Sequence, residues 1–423
     1  MKNVLHARFV KFKQKLPNTL RQAVRTLVFF ALYPARWLGV RSLARGKLSG
    51  RALLAKRDAL PDTTRVTEVT PPAYPAGERG VRHLTSDDTL PAKRPVDTRF
   101  VMFDITDQKH SFRNHHLVTP ERYIVYEDKV GFRDLPASVD HLETTRHVPG
   151  TVAYLSNTWI DNYFHWMCLA LPLMMFYRDY LGRDPDFYYV GSPLKSWHYE
   201  SLEYFGVAPE RVLSGGVTAD RLLTVVPDRR GATDEAFFAF VRQHMVPTPP
   251  PTPRRRLFIG RGEHAKSRRL LNEAACASLL ERYGFEYMTM DGLSIADEIE
   301  LFGSASAVVT THGAVLTNLL YASSDIDVLD IVPYGAQHPS FADFYDMCHF
   351  LGCGYGMVWG EKIPAQSGRR DTEVDVCVDL EKLEQAVVSM LGAQSQVKSE
   401  RQNGVIKDKQ DKQAWSQNAL INS

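Results

Sequence analysis

The feature that most constrains the fold is a regular alternation of short apolar runs and helical patterns after residue 254. The runs RLFIG, FEYMTM, AVVTT and DVLDIVP have the length of strands, and the segments between them show helical spacing. One segment opens with Ser294 and has Asp297 three residues later, the pattern of a capping box. This alternation predicts a parallel, doubly wound α/β sheet, in which ligands bind beyond the carboxyl ends of the strands.

A histidine stands where one of these strands meets the next helix. His312 directly follows AVVTT, and the small residues Gly313 and Ala314 let a ligand approach the backbone closely. The helix predicted for AVLTNLLYAS would aim its first amides at the same place, which favours an anion. On spacing alone, a phosphate ligand and a satisfied structural histidine are both compatible with this pattern.

A basic stretch, LFIGRGEHAKSRRLLNE, follows another predicted strand at residues 257–273. Arg261 ends that strand, and Arg268 and Arg269 lie in a loop before a helix whose predicted cap is Asn272. The planar fork of arginine can bond two oxygens of a diphosphate at once. The alternative is a solvated basic loop. Neither a GxGxxG nor a Walker A pattern occurs in the sequence.

A third pattern, NTWIDNYFHWMCLALPLMMF, spans residues 157–176. Asn162 is placed to cap an apolar helix, and Pro172 is expected to end or kink that helix. His165 near the helix start, beside Asp161, is a candidate general base because its ordinary pKa lies near neutrality. A histidine packed with Trp166 in the core is the competing interpretation.

The composition of the remaining segments predicts a domain boundary, a linker and a tail. The run VPTPPPTPRRR cannot form a helix or a central strand, so it predicts a boundary between an α/β domain at 99–246 and a second at 254–392. Pro, Thr, Asp and Arg are frequent at 58–98, which predicts a linker. Residues 393–423 are polar and nearly free of aromatics, which predicts a disordered tail.

The N-terminal 57 residues form a basic arm with no acidic residue, although the whole chain has a net charge of only +2. Its apolar run at 27–40 is shorter than the ~20 residues of a membrane span. The pattern predicts contact with an anionic membrane surface, and no nucleic-acid fold follows the arm.

Five cysteines without a CxxC pair are typical of a reducing compartment. We therefore expect a cytoplasmic protein, peripheral on the inner membrane.

Together, NYFHW, FIGR…SRRLLNE and GLSIADEIELFGSASAVVTTHGAVLTNLLY resemble glycosyltransferase family 61 over roughly residues 150–335. The sequence departs from the family pattern at Glu298, where glutamine is expected, and at Gly260, where serine is common. The resemblance implies a GT-B fold, with two Rossmann-like domains facing a cleft. It also implies inversion at the anomeric carbon without an obligate metal or other cofactor.

The resemblance also implies residue roles. The residues it assigns to the nucleotide sugar are Arg261, Arg268, Arg269, His312, Gly313, Ala314 and Asn318. His165 is the first candidate for the base that deprotonates the acceptor, with Asp161 as the second. The implied reaction moves a sugar from a nucleoside diphosphate to a glycan or lipid-linked glycan in bacterial surface polysaccharide synthesis. A non-catalytic glycan-binding scaffold and a GT-B nucleotide-sugar epimerase are the alternatives.

Overall fold

A computed structural model describes most of the chain between residues 46 and 402. The described ranges are 46–49, 58, 60–73, 80–85, 98–113, 116–118, 123–126, 145–156, 159–191, 194–227, 234–246, 254–262, 267–333, 342–361 and 374–402. Most of the predicted basic arm therefore lies outside the described residues. No helix within those ranges is both long enough and apolar enough to cross a membrane.

The described part of the chain contains two sheets. Their strands are β1 Gly46–Ser49, β2 Thr64–Val69, β3 Arg82–His83, β4 Phe100–Ile105, β5 Ser111–Arg113, β6 His116–Val118, β7 Tyr123–Tyr126, β8 Arg146–Tyr154, β9 Phe187–Tyr189, β10 Val212–Leu213, β11 Val217–Pro227, β12 Arg255–Ile259, β13 Phe285–Met288, β14 Ala305–Thr311, β15 Asp327–Val332 and β16 Gly354–Trp359. The first sheet contains ten of these strands and the second contains six.

The helices connect and cover the sheets. They are α1 Tyr163–His165, α2 Met174–Leu181, α3 Ser196–Tyr204, α4 Glu235–Met245, α5 Glu273–Glu281, α6 Ile295–Gly303, α7 Asp343–Leu351 and α8 Leu380–Gln402. Among the described residues, the 3₁₀ helices are Leu171–Leu173, Pro209–Arg211 and Ala314–Tyr321, and a π-helical turn is Trp166–Ala170. The capping box predicted at the start of α6 is present, with Ser294 and Asp297 bonded reciprocally.

The second sheet has the predicted doubly wound form. Its strand order is β13-β12-β14-β15-β16-β3, and every pair in it is parallel. The strand order reverses between β12 and β14, which are hydrogen-bonded neighbours. Both β14 and β15 are buried along their whole length, as expected for parallel strands covered on both faces. The reversal makes the carboxyl ends of β12 and β14 the expected ligand edge.

The first sheet is only partly Rossmann-like. Its strands β11, β8, β9 and β10 are parallel neighbours in that order. However, β4 and β5 pair with β11 in the antiparallel direction, and β2, β6 and β7 extend the antiparallel part. The expectation of a second doubly wound domain is therefore corrected to a mixed sheet. Short hairpin connections suit antiparallel pairs, whereas a parallel pair needs a longer crossover.

One hydrophobic cluster joins the helical layers of the two sheets. Its members include Trp166 and Phe237 from the first half of the chain and Leu316, Tyr321 and Phe344 from the second half. A packed layer therefore lies between the sheets at this point. Whether the two halves also face a cleft in a GT-B arrangement stays a prediction.

Two ranges differ from their compositional prediction. The range 58–98 contains β2, which pairs with β4, and β3, which pairs with β16, so these parts belong to the sheets. Helix α8 continues to Gln402, beyond the start of the tail predicted at 393–423. In the first range the polar residues of β2 and β3 stand on paired strands, which composition alone does not distinguish from a linker.

Candidate functional site

The ligand edge of the second sheet brings two predicted groups together. Arg261 follows β12 and Gly313 follows β14 by two residues. A Cβ atom added to Gly313 would overlap Nη1 of Arg261, so the guanidinium lies directly against the glycine backbone. The φ angle of Gly313 is 173°, which any residue adopts, so its small size is needed for this contact rather than for the turn.

Arg261 is a cation in a site with little water. Burial, followed by the charge of Arg268, lowers the pKa of Arg261 to about 10, against an opposing effect of Glu273. Its Nη2 donates to the carbonyl of Ser267 at 3.3 Å. Its Nε is buried and finds no hydrogen-bond acceptor among the described residues. Because a buried donor without a partner is costly, the arrangement suits an anion that supplies the acceptor.

Arg268, which lies near Arg261, has an unusual backbone conformation. It has a φ of 56°, one of two positive values found for non-glycine residues in the described ranges. A side chain in this left-handed region costs free energy, and such conformations cluster at ligand sites. The strained turn directs a second half-buried guanidinium toward the first. Lys266, in the same basic stretch, lies outside the described residues.

His312 is held by a buried acid that the sequence analysis missed. Its side chain is 4% exposed, and its Nδ1 lies 2.7 Å from Oδ2 of Asp330, whose side chain is fully buried. Tyr355 donates to the same carboxylate oxygen at 2.7 Å. The carboxylate therefore fixes the orientation of the His312 ring through Nδ1. The available signal was an acid in the middle of the apolar run DVLDIVP.

The segment after His312 is a 3₁₀ helix rather than the predicted α-helix. Its first residues, Ala314 and Val315, are half-exposed, whereas Asn318 is buried. The first amides of a 3₁₀ helix also lack partners within the helix, so they can still face an anion. Asn318 instead lies beside Glu298 of the neighbouring helix α6.

Other residues of the basic stretch serve the packing of the chain. Arg269 donates to Asp375 at 2.8 Å, and this carboxylate is only 3% exposed. Asn272 occupies the first position before α5 but makes no side-chain cap, since its amide pairs with the backbone of Val378. Both residues therefore fasten the segment before α8 against the second sheet. The predicted cap at Asn272 is corrected in this way.

Gly260 departs from the family pattern for a steric reason. A Cβ atom at this position would lie 2.7 Å from the hydroxyl of Tyr287 and 2.8 Å from Oε1 of Glu273. These two groups are joined by a hydrogen bond of 2.6 Å. Glycine thus leaves room for a pair that packs α5 on the edge strand β13.

The candidate base residues lie on the irregular helical segment of the first half. Asn162 caps α1 as predicted, because its Oδ1 accepts from the amides of Phe164 and His165. The His165 ring is half-buried, with its centroid 5.4 Å from that of Trp159. Asp161 is exposed, and its backbone carbonyl accepts from Lys195 at 2.6 Å.

Aromatic rings connect this segment to the ligand edge. Phe164 contacts Phe344 with ring centroids 5.3 Å apart, and Phe344 contacts His312 at 5.2 Å. His165 directly follows Phe164, and their rings are 5.7 Å apart. The structure therefore places the segment with the two candidate bases beside the edge with the two arginines.

A second, half-buried cluster was also missed. Glu298 of α6 lies beside Tyr163 of α1 and Asn318 of the 3₁₀ helix. Burial raises the pKa of Glu298 to about 7, although Tyr163 and Asn318 act in the opposite direction. The hydroxyls of Tyr163 and Tyr321 lie 2.8 Å apart. Helical spacing could have shown that Glu298 shares a face with the apolar residues of α6.

Comparison with known proteins adds one informative match. Residues 163–329 match the family model described as Glycosyltransferase 61. No curated protein matches the chain. Among solved structures, a putative D-3-phosphoglycerate dehydrogenase oxidoreductase from Ralstonia solanacearum is 9% identical, covers 63% of this chain and 98% of its own, and has a TM-score of 0.18. A score that low establishes no shared fold.

Proposed function

We propose that this chain, which matches the Glycosyltransferase 61 family model over residues 163–329, transfers a sugar from a nucleoside diphosphate donor to a glycan or lipid-linked glycan. The family match confirms the resemblance drawn from the sequence and supports glycosyltransferase activity in general. The observation that supports the nucleoside diphosphate donor is the buried Nε of Arg261. It lies beside Gly313 and Arg268, where the strand order reverses between β12 and β14.

The donor fits this edge by its charge. Departure of a nucleoside diphosphate develops negative charge on the oxygen that leaves the anomeric carbon. Arg261 and Arg268 are fixed cations, and His312 is oriented by Asp330. Groups oriented before the reaction stabilise such charge without reorganisation in the transition state. In this proposal, Arg269 has no contact with the donor, because it is paired with Asp375.

We propose a single displacement that inverts the anomeric carbon. The acceptor hydroxyl attacks as the diphosphate leaves, and one base removes the hydroxyl proton. His165 is our first candidate because it is half-buried and adjoins the ring contacts that lead to His312. Asp161 is the second, although it is exposed. The protein's own groups thus account for charge stabilisation and proton removal.

The donor is tested by thermal unfolding of the full chain with a panel of nucleoside diphosphates and their sugars. A bound ligand stabilises the folded state by RT ln(1 + [L]/Kd), about 2.7 kcal/mol at a hundredfold excess over Kd. We expect nucleoside diphosphates with one particular base to raise the unfolding temperature. We also expect the matching nucleotide sugar to be hydrolysed slowly by the protein. A panel without any stabilising member would reject the proposal.

The base is tested by comparing His165→Asn with Asp161→Asn. Removing a general base typically slows the reaction by about 10²–10⁴-fold, so the variant of the true base should lose transfer but still bind the nucleotide. The other variant is the matched control. Transfer by both variants at the wild-type rate would show that neither residue is the base.

The setting we propose is surface polysaccharide synthesis at the inner face of a bacterial membrane. Its support is the basic arm, which pairs fourteen cations with an apolar run. Since Gly46–Ser49 pairs with β7 in the first sheet, the deletion that tests the arm should end before residue 46. We expect a chain lacking residues 2–40 to stay folded and to lose binding to vesicles containing anionic lipid. Equal vesicle binding with and without the arm would reject the membrane role.

A further inference from the structure

The start of helix α3 holds the backbone that leads into α1, the turn with the candidate bases. Nε2 of His198 lies 2.9 Å from the carbonyl oxygen of Ile160. Nζ of Lys195 donates to the carbonyl oxygen of Asp161 at 2.6 Å. These two carbonyls directly precede Asn162, the cap of α1. The chain that enters α1 is therefore bound to α3 at two consecutive residues.

The same helix also holds the residue that follows α1. Nε1 of Trp166 donates to Oγ of Ser201 at 2.8 Å, and this hydroxyl donates to the carbonyl oxygen of His198 at 3.0 Å. These three residues are fully buried. Since His198 and Ser201 are three positions apart, they share one face of α3. That face therefore contacts the chain both before and after α1, which contains only Tyr163–His165.

The partners of His198 fix its proton on Nε2. The backbone N–H of Lys195 can only donate, and it lies 2.9 Å from Nδ1, which must therefore accept. The carbonyl of Ile160 can only accept, so Nε2 must carry the proton. Burial, the largest effect, lowers the pKa of His198 to about 4, so the ring is neutral near pH 7. The ring is thus a fixed donor toward Ile160.

Helix α3 is also bound to the second half of the protein. Oε2 of Glu200 accepts from the backbone N–H of Ile295, the first residue of α6, at 2.8 Å. Helix α6 packs against the 3₁₀ helix Ala314–Tyr321, which follows His312. One short helix therefore connects the turn with the candidate bases to the helical layer beside the ligand edge.

We propose that His198 and Lys195 are positioning residues, which hold α1 through the carbonyls of Ile160 and Asp161 so that its candidate base meets the acceptor hydroxyl. Their effect on transfer rests on the proposed function. Because His198 is fully buried, it acts through the turn and not on the substrate. A displacement of about 1 Å at a reacting group can lower a rate about 100-fold, so a distant hydrogen bond can matter for transfer.

Two replacements separate the two hydrogen bonds of the His198 ring. The amide nitrogen of glutamine reaches the position of Nε2, so His198→Gln keeps the donor toward Ile160. The shorter asparagine places its carbonyl oxygen near the position of Nδ1, so His198→Asn keeps the acceptor for the Lys195 amide and loses the donor.

The assay is hydrolysis of the nucleotide sugar that the unfolding panel identifies, with water as the acceptor. We expect His198→Gln to keep close to the wild-type kcat and His198→Asn to lose about 100-fold. Titration calorimetry with the matching nucleoside diphosphate should give both variants the wild-type affinity. A residue that only capped α3 would give the opposite order of kcat. That order, equal kcat values in the two variants, or a loss confined to nucleotide affinity would overturn the proposal.

Lys195 supplies a test without a buried replacement, and it decides the proposal if His198→Asn does not fold. Lys195 is exposed, so Lys195→Met should unfold at the wild-type temperature while it loses the hydrogen bond to the Asp161 carbonyl. We expect kcat to fall about tenfold at unchanged nucleotide affinity. Lys382→Met, at an exposed lysine of α8, is the matched control and should keep the wild-type kcat. Equal kcat values in these two variants would reject the positioning role.

Amide hydrogen exchange, followed by mass spectrometry of peptides that contain residues 160–166, measures the turn without any activity. The amide of Trp166 donates to the carbonyl of Asn162 at 3.1 Å and closes this turn. We expect faster exchange in His198→Asn and Lys195→Met than in the wild type and His198→Gln. Equal exchange in all four proteins would overturn the proposal. If the wild type hydrolyses no donor, the proposed function fails, whereas the exchange measurement still decides whether α3 holds the turn.

Discussion

Arg261 and Arg269 belong to one basic stretch, yet the structure uses them differently. Arg261 is half-buried, lies directly against Gly313 and has a buried Nε without an acceptor among the described residues. Arg269 is 57% exposed and donates to the buried carboxylate of Asp375. Composition does not separate these two arginines, whereas their partners do.

The comparison shows how a ligand arginine differs from a structural one. A guanidinium paired with a carboxylate has its charge already neutralised, so it has little to gain from a phosphate. A buried guanidinium beside another cation gains both charge and hydrogen bonds from an anion. Binding should therefore depend on Arg261, and folding should depend on Arg269.

The largest effect is expected for Arg261→Ala. Loss of charge-assisted hydrogen bonds to the diphosphate should weaken binding of the stabilising nucleotide by about 100-fold, measured by isothermal titration calorimetry. Arg282→Ala is the control, because Arg282 is an exposed arginine that pairs with Glu384. Equal affinity in both variants would remove Arg261 from the site.

A somewhat smaller loss of nucleotide affinity is expected for Gly313→Ala. The new methyl group overlaps Nη1 of Arg261, and since the backbone is extended there, the effect is displacement of the arginine rather than backbone strain. We expect affinity to fall about tenfold with little change in unfolding temperature. Gly392→Ala is the control, since its added Cβ meets no atom within 4 Å. Unchanged affinity in Gly313→Ala would separate the glycine from the binding arginine.

A moderate loss is expected for Asp330→Asn. The amide keeps the shape of the acid but removes the negative charge that holds the His312 ring through Nδ1, so nucleotide affinity should fall about fivefold. Tyr355→Phe keeps the charge of Asp330 and removes one hydrogen bond to it. Its loss of nucleotide affinity should therefore be smaller than that of Asp330→Asn. Titration calorimetry of both variants ranks them, and a larger loss for Tyr355→Phe would contradict this role of Asp330.

The smallest effect on binding is expected for Arg269→Ala, which should leave nucleotide affinity unchanged. Its effect should fall on folding instead, because Asp375 then becomes a buried carboxylate without its guanidinium partner. Differential scanning calorimetry should show a lower unfolding temperature, and Arg269→Ala combined with Asp375→Asn should recover part of it. A weakened affinity at normal stability would place Arg269 among the binding residues, as the family resemblance implies.

Local patterns were enough to predict four strands of the second sheet, although not β3 and β16. Apolar runs of strand length, a capping box and helical spacing depend on neighbours in the chain, so α6, β12, β14 and β15 occur where the sequence indicates them. The first sheet was harder to predict, because short strands such as β5 and β10 take their pairing from distant residues.

Partners across the fold were not predictable. Asp330 lies on the strand beside His312, and Asp375 reaches Arg269 from a segment over a hundred positions away. Glu298 was visible only as a departure from a family pattern, while its contacts with Tyr163 and Asn318 arise from packing between the two halves. Single-sequence patterns contain no signal for such distant pairs.

By itself the sequence determined that Arg261 and His312 each follow a strand of one parallel sheet and so share one edge, since parallel strands have their carboxyl ends on the same side. Only the tertiary structure decided which charged groups stay available at that edge. It paired Arg269 with Asp375, oriented His312 with Asp330 and placed Glu298 beside Tyr163 of the other half. The physical reason is that charge and hydrogen bonding act through space, so a residue's role depends on the partners that folding brings to it.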